Sequence, residues 1–252
     1  MIAPPVAPAT ARCVPEARQP LRSLLGVLLL IAILLLIAII WQLPHGRTLL
    51  YPLSLLATCA HELGHGVTAM LLGAHFERFA LHADGSGLAL WRGTPGRLDS
   101  ALIAAGGLLA PSIAGSLLLI LSRWPRLARM LLGLVGGSLV LVVAIWTRNL
   151  FGIAFLLCAA LSFVLAAVWL NERGAIFVLR LTAAVLCLSW LQDVDYMFSA
   201  SARIDGLPHA SDTAIMAQAL WLPYWFWGGV VATLSLAILA LGLWLAVRAP
   251  RR

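Results

Sequence analysis

Charge is scarce in this 252-residue chain: Asp, Glu, Lys and Arg together make up 11% of it, against 62% hydrophobic residues. That shortage excludes a soluble domain of this length, since such domains carry about a quarter charged residues. A mean hydropathy of +0.98 points the same way, so the solvent of this fold must be lipid. Carboxylates are fewer still, 10 against 17 basic residues, which leaves a net charge of +7 and a pI near 10.2. The excess does not form a nucleic-acid face. Arg12, Arg18, Arg22, Arg123, Arg126, Arg129, Arg248, Arg251 and Arg252 flank apolar runs, where the orientation bias of cytoplasmic loops and attraction to anionic headgroups place them. No nucleic-acid partner is expected. Cysteine is also sparse: Cys13, Cys59, Cys158 and Cys187 form no CxxC pair, and three of them lie in apolar runs. This argues for neither a disulfide framework nor a zinc knuckle. The sequence holds no GxSxG elbow, phosphate-binding loop or dinucleotide fingerprint, so those catalytic classes have no foothold.

Long apolar runs dominate what is present. Residues 1–21, rich in Pro and Ala, read as a disordered N-terminal arm. The run 24–41 is too long for a signal-peptide core and is not followed by a small-residue cleavage site, so it is expected to remain as a first transmembrane helix. Further runs cover roughly 49–72, 99–121, 127–147, 149–170, 175–198 and 222–247, each near the ~20 residues that span a bilayer. Trp41, Trp124, Trp146, Trp169, Trp190, Trp221 and Trp244 fall near their ends, as an interfacial belt requires. The expectation is an all-α polytopic membrane protein with six to seven transmembrane helices. It forms one integral-membrane domain over 22–248, with a basic tail at 249–252. Seven simple crossings from a cytoplasmic N-terminus would put the arginines at 123–129 and the C-terminal arginines outside. A broken or re-entrant 99–121, which contains Gly106, Gly107, Pro111 and Gly115, would bring them inside and leave six.

Between the second and third runs, residues 75–93 hold two short strand-like stretches around Asp84-Gly85-Ser86-Gly87. A β-hairpin is expected, the only strand-like part of the chain. It is either a solvated loop or an edge strand that pairs with an extended substrate.

The chemistry lies in His61-Glu62-Leu63-Gly64-His65, within the second run. On a helix, His61 and His65 are about 40° apart and one turn above each other, so both imidazoles reach one metal. Glu62 is rotated by about 100°, beside the metal but not among its ligands, where it can take a proton from water and pass it to a leaving amine. An acidic residue in a membrane helix costs about 2.5–3.5 kcal/mol on insertion scales, so the cluster needs a compensating partner such as Zn²⁺. Gly64 and Gly66 clear space for a close neighbour, either a helix or a substrate backbone. Cys59 points away from the histidines and reads as packing.

A tetrahedral catalytic site needs a third protein ligand. The outstanding carboxylates near an apolar run are Asp193 and Asp195, two residues apart, so only one of them can face the metal. Asp205 and Asp212 follow in a polar stretch that reads as a loop, with Ser211-Asp212 as the cap of the next helix. His45, His75, His82 and His209 are not expected to be ligands.

HELGH in a membrane helix, followed by a Gly-rich hairpin, resembles the site-2 protease clan of intramembrane metallopeptidases, in particular its small bacterial-type branch. The blocks GSGLALWRG (85–93), AAGGLLAPSIAGSLLL (104–119), RNLFG (148–152), LQDVDYMF and SDTAIMA (211–217) are similar to that branch in the same order, over about residues 50–230. The resemblance implies zinc held by His61, His65 and a distant aspartate, with Glu62 as general base and membrane proteins as substrates. It also implies a bacterial plasma membrane as the location. By position the aspartate matches Asp193 better than Asp195. The Asn-Pro…Leu-Asp-Gly segment of well-studied members has no counterpart in an apolar run here. The rival reading is a membrane protein that keeps the metal for sensing, transport or scaffolding without proteolysis.

Overall fold

The computed structural model describes residues 18–247, so most of the expected arm at 1–21 and the tail at 249–252 lie outside the described residues. In lipid, each backbone N–H and C=O must be satisfied within its own segment, so the Leu-, Ile-, Val- and Ala-rich runs become helices. They are α1 (Arg18–Gln42), a short α2 (Gly46–Leu49) and α3 (Tyr51–Leu71). The first hairpin, β1 (His75–Leu81) and β2 (Gly87–Arg92), leads into α4 (Arg97–Leu121), α5 (Ala128–Ile145), α6 (Leu150–Trp169) and α7 (Glu172–Gln192). A one-turn α8 (Val194–Met197) opens a second hairpin, β3 (Ser201–Ile204) and β4 (Leu207–Ala210), before α9 (Asp212–Leu220) and α10 (Tyr224–Val247).

The protein is mostly helical, 74%. Among the described residues five helices are long and apolar enough to cross a membrane: α4, α5 with the turn before it, α6, α7 and α10. α3 is not among them, because its His-Glu-His group lowers its hydropathy. Leu35, Leu134 and Leu161 are 58–59% exposed, an outward-facing apolar surface that suits hydrocarbon and not water.

α4 is the hub, packed against α3, α7, α9 and α10, while α5 and α6 form a pair against α7 and α1 leans on α7 from another side. The break expected within 99–121 is absent: α4 is one unbroken helix with a buried Pro111 inside it. Proline removes a single helical hydrogen bond, and dense packing against four neighbours keeps the helix continuous through that loss. α3 and α4 cross at glycines. A Cβ on Gly64 would stand 2.5 Å from the Gly106 carbonyl oxygen, and one on Gly106 would be 2.1 Å from Thr68 Oγ1. The neighbour at Gly66 is the Phe76 ring of the hairpin, 2.3 Å from where a Cβ would be. Cys59 is buried in the core with Phe76, Phe79 and Leu156.

The first hairpin is antiparallel, from His75 opposite Arg92 to Leu81 opposite Gly87, with an irregularity between Phe76 and Arg78. Gly85, at φ +92°, makes the turn, and Asp84 Oδ1 accepts from Ser86 N–H (2.9 Å) and Ser86 Oγ–H (2.6 Å). Partial burial opposes ionisation of Asp84, but the bonds from Ser86 outweigh it and hold the carboxyl below its usual range. Thr58 Oγ1 donates to Gly85 O (3.0 Å) and Tyr51 Oη to Ala83 O (2.8 Å), tying the turn to α3. On its outer side β1 exchanges backbone bonds with Trp146 and Arg148. β2 pairs with β1 alone among the described residues.

The second hairpin corrects the reading of 75–93 as the sole strand-like stretch. Asp205 and Gly206 both have positive φ, 49° and 76°. An Asp-Gly turn of that kind joins two strands tightly even when each has only four residues. The two hairpin tips meet: Asp205 N–H donates to Ser86 Oγ (3.2 Å), and the Asp205 carboxylate lies 3.6 Å from His82 Nδ1.

Candidate metal centre

Inside the bundle, below the two hairpins, lies a cavity of about 500 Å³. Its lining comes from α3 (Thr58, His61, Glu62, His65), α4 (Ile103, Ala104), β2 (Gly87, Leu88, Ala89) and both strands of the second hairpin. Asp193, Tyr196, Asp212 and Ile215 also line it.

His61 and His65 meet edge to face, with ring centroids 4.7 Å apart and Nε2 atoms 3.0 Å apart. His65 Nδ1 lies 2.8 Å from the Ile103 carbonyl of α4. A carbonyl only accepts, so Nδ1 carries the proton and Nε2 is left with its lone pair toward the cavity. Facing the pair is Asp212, 5% exposed, with Oδ2 3.0 Å from His61 Nε2 and 3.4 Å from His65 Nε2. These three donors form the one potential metal-holding group found among the described residues. Tetrahedral ligands bound at 2.0–2.2 Å lie roughly 3.3–3.6 Å from one another, close to the spacing here, and two imidazoles with one carboxylate suit zinc.

Glu62 is buried on the same helix but outside this trio. Its carboxylate lies beside β2, whose Gly87, Leu88 and Ala89 line the cavity with it. A Cβ on Gly87 would come 2.6 Å from its Oε1, so the hairpin closes over the carboxylate only because that residue is glycine.

Asp193, expected as third ligand, is not in the group. It caps the C-terminus of α7 where the chain turns into α8, and it lines the cavity wall. Asp195 is exposed on α8. The chain runs on through the second hairpin, and the residue it returns to the histidines is the first of α9. Ser211 is the cap of that helix, accepting from Ala214 N–H at 3.2 Å, as its sequence context suggested. The cap is buried, and the carboxylate beside it faces the histidines. The aspartate that follows a capping serine, within SDTAIMA, was the available signal. His209 lines the cavity but lies outside the trio, while His82 faces Asp205.

A family model described as Peptidase M50B-like matches residues 23–242 of the chain. The chain belongs to this family, that of the site-2 proteases. Membership of the M50B-like peptidases implies a protease embedded in the lipid bilayer, and M50 peptidases are in general zinc-dependent. The match takes in both hairpins, all three donors and Glu62. No curated protein and no solved structure matches the chain.

Proposed function

We propose that this M50B-like protein is an intramembrane endopeptidase that hydrolyses peptide bonds of membrane-embedded or membrane-proximal proteins in a bacterial-type plasma membrane. His61, His65 and Asp212 would hold zinc, and Glu62 is the general base. The observation that carries the reading is the convergence of two imidazoles and one carboxylate, with a second carboxylate beside them, inside an apolar bundle. With α1 and α3 added, the five apolar helices would make seven crossings, the upper of the two expected counts. Zinc, when bound, supplies a Lewis acid that polarises the scissile carbonyl and makes water acidic near neutral pH.

The chain's own groups supply the rest. The Ile103 carbonyl fixes the tautomer of His65. Glu62 takes a proton from the attacking water and returns it to the leaving nitrogen. The unpaired edge of β2, beside Glu62, offers backbone groups to a substrate in extended form. A transmembrane helix has its own backbone bonds satisfied, so the segment to be cut must unwind first. An edge strand compensates for that loss.

Metal analysis tests the reading directly. The purified protein is expected to carry about one zinc per chain, lost when His61 and His65 are both changed to Ala. No bound metal in the unaltered protein would overturn it. A second expected result concerns Gly107 of α4, where a Cβ would lie 2.2 Å from the His65 ring. Alanine favours a helix interior by about 1 kcal/mol over glycine, so the helix itself is not weakened. Gly107→Ala is nevertheless expected to lower zinc affinity by at least about 10-fold, comparable to disturbing a ligand's outer support. Titration against a chelator measures this.

A further inference from the structure

Asp212 is not held by its own helix alone. α9 has nine residues, and its first turn is tied back to the segment that follows α7. Ser211 Oγ donates to the Ser199 carbonyl, and Thr213 Oγ1 donates to the Met197 carbonyl at 2.9 Å. Between these two ties stands Tyr196 of α8. Its hydroxyl accepts from Asp212 N–H at 3.1 Å and donates to Asp212 Oδ2 at 2.9 Å. Oδ2 is the very oxygen that faces both histidine Nε2 atoms. The tyrosine ring also stands edge-on to His61, with centroids 6.3 Å apart.

We infer that Tyr196 is a positioning residue, which sets the Asp212 carboxylate oxygen at the distance from His61 and His65 that metal binding needs. This rests on the reading of the trio as a zinc site. The physical case concerns rotation. A carboxylate at the start of a helix can turn about χ1 and χ2, and two like acceptors, Oδ1 and Oδ2, can exchange places. One hydroxyl bonded to both the backbone amide and Oδ2 of the same residue selects one rotamer and one oxygen. It also occupies one lone-pair direction of Oδ2 and leaves the rest for the histidine side. Ligating carboxylates hydrogen-bonded in this way lose about 10–100-fold in metal affinity when the partner is removed.

Tyr196→Phe removes one oxygen and keeps the ring. Zinc affinity of the full-length protein in detergent, measured by competition with a chelator, is expected to fall about 10–100-fold. The zinc-free variant still leaves the buried Asp212 N–H without its partner, so its thermal unfolding midpoint is expected to fall by a few degrees and its fold to survive. Thr213→Val cuts the neighbouring tie to Met197 without touching the carboxylate. It serves as the control for a loosened loop, and its zinc affinity is expected to stay within about threefold of the unaltered protein, well short of an outer-shell loss. An affinity in Tyr196→Phe equal to that of the unaltered protein, or reduced no more than in Thr213→Val, would overturn the inference while leaving the zinc site standing. Absence of zinc from the unaltered protein would instead remove the reading on which the inference rests.

Discussion

Glu62→Gln is expected to lower peptide cleavage by about 10²–10⁴-fold, the range that general acid–base groups contribute, while zinc content is unchanged. Glutamine has nearly the same shape, so the packing against Gly87 survives. It cannot take a proton. Because Glu62 stands outside the three-donor group, its loss does not remove a ligand. The measurement is cleavage of a single-pass membrane reporter by purified enzyme in liposomes, paired with metal analysis of the same sample. Undiminished turnover would sink the assignment of Glu62 as base. Loss of zinc together with activity would mean that Glu62 is a ligand.

The second large effect separates two aspartates. Asp212→Ala is expected to cost more than about 100-fold in zinc affinity, beyond what loss of an outer-shell partner costs. It removes one of three donors and leaves two imidazoles with Nε2 atoms 3.0 Å apart. Asp193→Ala keeps the trio whole and is expected to retain zinc. Thermal unfolding with and without metal gives an independent readout. A ligand that binds only the folded state stabilises it by RT ln(1 + [L]/Kd), about 2.7 kcal/mol at 100-fold excess over Kd, and Asp212→Ala should lose that increment. The opposite pattern, zinc lost in Asp193→Ala and kept in Asp212→Ala, would restore the expectation drawn from the sequence.

The contrast between those two residues shows how far local pattern reaches. Asp193 stands out in one dimension because it sits at the end of an apolar run. Asp212 hides in a polar stretch with the serine, aspartate and glycine of an ordinary connection. Its burial results from the packing of α9 on α4, and the hairpin that leads into α9 has four-residue strands too short to register as periodicity. Likewise Pro111 and the glycines of α4 suggest a broken segment, since a proline weakens a helix considered alone. The four helices packed around α4 supply what that consideration omits.

The helical class, the lipid setting, the place of the first hairpin and its Asp84-Gly85 turn follow from the sequence by itself, because each depends on composition or on residues within a few positions of one another. The pairing of His61 with His65 is of the same kind: one turn of helix puts them together whatever surrounds them. Tertiary structure alone decides the third donor, the tyrosine that steadies it and the glycines that admit Glu62 and His65 to the cavity. Asp212 is about 150 residues from the histidines along the chain. Nothing local records that distance closing, because it closes through the packing of α3 and α9 against α4.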